Sequence, residues 1–217
     1  VSGNAVAMPW IDRVPAVLEA WFSGSEVGNA LADVVFGAVN PSGKLPFTFP
    51  VRLEDNGAHA LGEYPGADKV KYNESIFVGY RWHDKEQLKP LFAFGHGLSY
   101  TAFAVGNVKA DRTTLAPNGS IRISADVTNT GDRAGAEVVQ LYIGDEQSSL
   151  PRPVKELKGF QKVSLNPGQT RTVTFEITPG MLQYYDDAKG AWVAEPGAFT
   201  AYVGAASDDI RGTVEFE

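Results

Sequence analysis

"IRISADVTNTGDRAGAEVVQLYI", residues 121–143, decides how the C-terminal half of this chain is read. Ile121, Ile123, Ala125 and Val127 alternate with Arg122, Ser124 and Asp126, the period of two that a half-buried strand imposes. "NTGDRAG" then supplies turn residues, and Val139, Leu141 and Ile143 resume the alternation. The same rhythm returns at Val173, Phe175 and Ile177 and at Phe199, Ala201 and Val203, with "NPGQ" (166–169) and "EPG" (195–197) as further turn signals. Adding edge segments near 103–109, 155–163 and 213–216 gives about seven strands. The expectation is an antiparallel sandwich of immunoglobulin or fibronectin type III kind over residues 103–217.

Upstream of residue 50 the pattern is of another class. "PAVLEAWF" (15–22) is an apolar run with a single charge, as a parallel strand buried on both faces would be. "SGSE" follows, and then Val27, Leu31, Val34 and Val35 fall on one helix face. Ser23 and Glu26 fit a capping box at the start of that helix, and Gly37 a stop at its end. "NPSGKLPFTFP" (40–50) leads into a short edge strand. One strand, one helix and an edge are too little for a domain. Residues 1–50 are therefore expected to be the end of an α/β sandwich, completed by another segment or chain. "VSGNAVAMPW" (1–10), with no Met and no leader-like pattern, reads as the tail of a buried strand in a processed or excised piece, without a signal peptide.

Between the halves, residues 51–102 read as a loop-rich interdomain segment. Its densest part is "KYNESIFVGYRWHD" (71–84), with five aromatic rings if His83 is counted. Read as extended, the stretch puts Val78, Tyr80 and Trp82 on one side and Phe77, Gly79 and Arg81 on the other. That pattern suits interdomain packing, with Glu74 and Arg81 as a buried ion pair; the competing reading is a sugar-stacking platform. Trp21 and Phe22 carry the same pair of readings, core packing or a ring that stacks on sugar. Glu26 is either the helix cap or a contact in the crevice where strands end in α/β sheets.

Bulk composition narrows the function. Across 217 residues the net charge is −7 and 43% are hydrophobic, a balance that disfavours nucleic acid and anionic membranes. No cysteine is present, which removes thiol catalysis, thiolate metal sites and disulfides. His59, His83 and His96 are scattered and do not suggest a metal site. "GHGLSY" (95–100) lacks the third glycine of a dinucleotide fingerprint, and "GSEVG" (24–28) puts its serine one place early for a nucleophile elbow. No cofactor is indicated.

The long stretches already quoted, together with "RPVKELKGFQKVSLNPGQ" (152–169) and "WVAEPGAFTAYVGAASDDIR" (192–211), resemble in order the C-terminal part of glycoside hydrolase family 3. The likeness is to the β-glucosidase branch with a fibronectin type III-like domain. It implies a retaining hydrolase of terminal β-linked sugars, with a barrel-like domain ahead of the α/β domain and the active site between those two. It also implies a nucleophilic aspartate in an "S-D-W"-like motif and an acid/base glutamate in an "E-G-x-D-R"-like loop. Neither motif occurs here: Ser207-Asp208 in "ASDDIR" lacks the tryptophan context. Retention needs two carboxyl groups roughly 5 Å apart, one with a raised pKa, and nothing in the sequence marks such a pair.

The chain alone is thus expected to be inactive, with no catalytic residue of its own. Glu26, Trp21 and Trp82 stand as candidate substrate contacts. The expected partners are the barrel and α/β portion of the same enzyme, carried upstream or on a separate chain, and a glucoside or oligosaccharide; a homodimer is compatible. The family implies a bacterial, periplasmic or secreted setting. The alternative is a carbohydrate-binding or purely structural module, against whose binding form the inward phase of Phe175 and Phe199 counts.

Overall fold

The computed structural model describes residues 1–217. The chain divides between Tyr100 and Thr101 into two compact units.

The second unit is a sandwich. One sheet joins β1 (Phe103–Ala110), β2 (Ile121–Asn129) and a third strand, Thr170–Ile177, in antiparallel order. The other is built around β3 (Gly135–Asp145), which pairs with β4 (Glu156–Leu165) on one side. On its other side β3 meets Phe199–Ala206, which in turn pairs with Asp209–Phe216. Counting in chain order, Thr170–Ile177 is β5 and the last two are β8 and β9; between them a small ribbon, β6 (Tyr184–Asp186) and β7 (Ala191–Val193), stands outside both sheets. The expected alternation sets the register. Ile121, Ile123, Ala125 and Val127 are buried and pair opposite Ile177, Phe175, Val173 and Arg171. With Val139, Leu141, Ile143, Phe199 and Val203 they close one apolar core. Each fully buried Val, Ile, Leu or Phe among them contributes about 1.5–3 kcal/mol on burial.

β3 departs from the expected half-exposed pattern. Gln140 and Tyr142, on its other phase, are also buried. The Tyr142 hydroxyl donates to Gln140 Oε1, and Gln140 Nε2 donates to the Ala205 carbonyl, so both polar groups are satisfied inside. The "NTG" turn is pinned the same way. Asn129, wholly buried, accepts from Thr101 Oγ1 at 2.8 Å and from Gly131 N at 3.1 Å. Its amide donates to the Arg133 and Leu165 carbonyls at 2.7 and 3.0 Å.

The first unit, Val1–Tyr100, has three short helices and no sheet: α1 (Val27–Val35), α2 (Gly57–Ala60) and α3 (Tyr80–Lys85). Residues 51–100 fold together with 1–50 in this unit, rather than standing as a separate interdomain segment. Backbone pairing explains it: Phe49 bridges Phe92, Leu45 N donates to His96 O at 2.8 Å, and Gly95 N returns to Leu45 O at 2.8 Å. Gly97 permits the approach, since a Cβ there would lie 2.1 Å from the Gly43 carbonyl oxygen. The closing "LSY" ties back to α1 and its exit: Tyr100 Oη donates to Val34 O, and Ser99 Oγ to Asn40 Oδ1, both at 2.8 Å.

Three local expectations are corrected here. Residues 15–20 form no strand, because the chain offers no neighbour to pair with and a lone extended segment cannot satisfy its own backbone. The capping box is absent: Ser23 Oγ donates to the Ala20 carbonyl, and the Glu26 side chain makes no cap bond at α1. The extended reading of 76–82 fails at Gly79, whose φ of 60° and ψ of −128° end the run and start α3. Trp82 and His83 are consequently buried while Val78 is exposed.

Candidate functional site

The three candidate contacts do not come from one element. Trp21 precedes α1, and its N–H donates to Glu19 Oε1 at 3.0 Å. Burial alone would raise the Glu19 carboxyl; the N–H groups of Trp21 and Ser2 and the Ser2 hydroxyl outweigh it and hold that carboxyl below its ordinary value. The clasp supports Trp21 in a left-handed backbone conformation, φ 50°. Its ring lies 5.8 Å from Phe47 and 6.1 Å from Phe49, centroid to centroid, and Phe49 meets Phe92 at 6.3 Å. Trp21 therefore heads a chain of edge-on and tilted aromatic contacts and keeps part of its surface in solvent.

Glu26 sits exposed at the start of α1. Its Oε2 accepts from Asn29 Nδ2 at 2.6 Å. Trp82 is only 6% exposed. Its indole lies against Gly57, where an added Cβ would be 3.0 Å from Cδ2, and Lys85 Nζ stands 5.0 Å from the ring centroid. Nothing in this arrangement leaves the ring open to a solvent-borne sugar. The expected Glu74–Arg81 pair does not form: Glu74 Oε2 is buried without a partner, as are Trp82 Nε1, His83 Nε2 and Thr48 Oγ1. His83 Nδ1 faces the Gly79 carbonyl at 3.1 Å, so that nitrogen donates to it.

The rest of this unit is notable for what it exposes. Phe22 and Phe36 flank α1 at 83% and 86% exposure, and α1 has no buried residue at all. Val14, Val17 and Leu18 are exposed along the unpaired segment. An apolar segment left unpaired and a helix with no buried residue, in one unit, are what the exposed part of a layered α/β structure shows.

The sequence pattern of the glycosyl hydrolase family 3 C-terminal domain matches residues 1–100, and that of the fibronectin type III-like domain matches residues 137–207. The chain belongs to glycosyl hydrolase family 3. Within that family it is similar to β-glucosidase BoGH3A of Bacteroides ovatus, 54% identical over the whole of this chain and 30% of that protein. It is 49% identical to thermostable β-glucosidase B of Acetivibrio thermocellus, across 97% of this chain and 28% of that one. The crystal structure of a β-glucosidase from Kluyveromyces marxianus in complex with glucose matches with a TM-score of 0.91 at 43% identity, covering 99% of this chain and 26% of that chain. The family 3 chain described here thus spans less than a third of the length of these relatives. Its fold class is the expected one, the family's C-terminal α/β domain followed by a fibronectin type III-like sandwich. The expectation of a bacterial source gains nothing from these matches, because similar β-glucosidases also come from fungi such as Emericella nidulans.

What sequence reading missed is the unpartnered group of Thr48, Glu74, Trp82 and His83. The aromatic density of 71–84 flagged the neighbourhood. The orphaned atoms follow from a turn at Gly79 that period-two reading passes over.

Proposed function

We propose that this chain is the supporting C-terminal part of a β-glucosidase that removes terminal β-linked sugars with retention. In this reading the nucleophile and acid/base carboxylates lie in the portion of the polypeptide outside these 217 residues. That portion supplies the missing strands beside residues 15–22, the layer over α1 and the barrel-side wall of the active site. The observation that carries the reading is the open apolar surface around Phe22 and Phe36 in a chain that spans about 30% of its β-glucosidase relatives. Glu26 and Trp21 then stand near the crevice at the end of that strand and contact substrate or its neighbours, while Trp82 braces the unit from within.

The test is hydrolysis of a chromogenic β-glucoside by the 217-residue chain and by a complete polypeptide carrying it. The expected result is background turnover for the first and full turnover for the second. Turnover by the 217 residues alone contradicts the proposal.

A further inference from the structure

The ribbon β6–β7 carries a feature that neither the sandwich core nor the proposed catalytic role uses. Its residues alternate in the manner of any strand pair, and the two phases have different fates. Tyr184 and Val193, opposite each other, face the body of the sandwich. The Arg152 guanidinium lies 5.2 Å from the Tyr184 ring centroid, and the Tyr184 hydroxyl meets Ser149 Oγ at 3.2 Å. Tyr185 and Trp192, the next opposite pair, point outward. They are 49% and 65% exposed, and their rings meet edge to face at 5.7 Å and 70°. An edge-to-face pair leaves the face of at least one ring free and sets the two rings as the walls of an angle.

The turn beneath them is rigid. Asp186 Oδ1 accepts from Ala188 N at 3.0 Å and Lys189 N at 3.2 Å, and Lys189 Nζ pairs with Asp186 Oδ2 at 2.9 Å. Gly190 closes the turn at φ 62°. The backbone that carries the rings is therefore fixed by bonds of its own turn, which lowers the ordering cost of binding.

Size and charge select the occupant. Together the two rings expose about 250 Å² of side-chain surface, far below the roughly 800 Å² per partner of a stable protein interface. The other large exposed apolar residues of this unit, Leu150, Val154 and Phe160, all lie outside the ribbon. A net charge of −7 disfavours anionic ligands. A neutral polyhydroxyl ring fits the remainder, its apolar C–H face on an aromatic and its hydroxyls beside the Tyr185 hydroxyl and the exposed Asp187. We infer that Tyr185 and Trp192 form a binding platform for one or two sugar units of a neutral glycan chain. The choice of a β-linked glucan rests on the proposed function; the platform itself does not.

The four tryptophans give four indole N–H signals in a nitrogen–proton correlation spectrum of the 217-residue chain. Titration with cellotetraose up to about 10 mM should shift the Trp192 signal selectively, with a millimolar dissociation constant. Trp192→Ala should weaken binding, read from the neighbouring amides, by about tenfold or more, and Tyr185→Ala by less, while Phe160→Ala leaves it unchanged. Trp192→Phe, which keeps a ring, should retain most of the affinity, separating loss of the platform from loss of the ribbon's fold. Selective binding of maltotetraose instead would uphold the platform and contradict the glucoside class. Absence of a selective shift with both oligosaccharides overturns the inference. A concentration-dependent shift of the same signal without sugar, with sedimentation as a dimer, overturns it in favour of contact between copies.

Discussion

Nineteen of the hydrophobic residues buried in this chain belong to the sandwich and four, Met8, Phe49, Trp82 and Ala93, to residues 1–100. Exposure runs the other way: five large apolar side chains are open in the sandwich, and all the others, including Phe22, Phe36 and Tyr72, in the first unit. The two regions have similar lengths, so size does not explain the difference. Pairing does. Each strand of the sandwich finds its partners within the chain, and residues 15–20 do not. A β-sandwich closes on local antiparallel connections, whereas an α/β layer needs every strand of its sheet before either face is covered.

The largest expected effect is on independent folding. Residues 101–217 expressed alone should melt cooperatively, and residues 1–100 alone should not, since their buried apolar side chains are too few to offset the entropy of ordering the chain. Matched thermal melts of the two fragments decide it, and a cooperative transition from 1–100 breaks the comparison.

Within the sandwich, Phe175→Ala should cost about 3–5 kcal/mol and Thr174→Ala less than about 0.5 kcal/mol. Phe175 is 6% exposed and packs beneath Gly159, while Thr174 lies on the outer phase opposite Ser124. Equal losses in chemical denaturation would mean that the register is wrong.

A smaller effect belongs to the ribbon. The Lys189 ammonium, bonded to Asp186, holds that carboxyl below its ordinary value, helped by the N–H groups of Lys189 and Ala188. A carboxyl depressed in the folded state stabilises at pH above its unfolded pKa, and that stabilisation is lost as pH falls through the folded value. Acid titration from about pH 6 to about pH 2 should therefore loosen Tyr185 and Trp192, read from their ring contacts, as Asp186 protonates. Asp186→Asn should remove that step. An unchanged profile in the variant would disconnect the turn from the carboxylate.

The sandwich was legible because its strands obey one rule, period two with turn residues between. Ile121 to Val127 needed no more than that. Gln140 and Tyr142 were not legible, because two buried polar groups that satisfy each other look like an exposed phase in sequence. The first unit was legible as incomplete, from the lone apolar run at 15–22, and illegible in its local geometry. Gly79 looks like any strand glycine until its φ turns the chain into a helix. Ser23 and Glu26 have the spacing of a capping box, yet the Ser23 hydroxyl turns back to the Ala20 carbonyl. Of the candidate contacts, the burial of Trp82 followed from its packing partner Gly57, which lies far from it in sequence and gives no pattern to read.

The contrast between an open and a closed unit is tested most directly by hydrogen exchange at the backbone amides of residues 16–22. In the 217-residue chain these amides, apart from that of Trp21 in its bond to Glu19, should exchange near the rate of an unstructured peptide, while those of Ile121 to Val127 are strongly protected. In a complete family 3 polypeptide that carries this segment, 16–22 should become protected by orders of magnitude as they join a sheet. Protection of 16–22 in the isolated chain equal to that of the sandwich would contradict the account, since the first unit would then be complete without the rest of the enzyme.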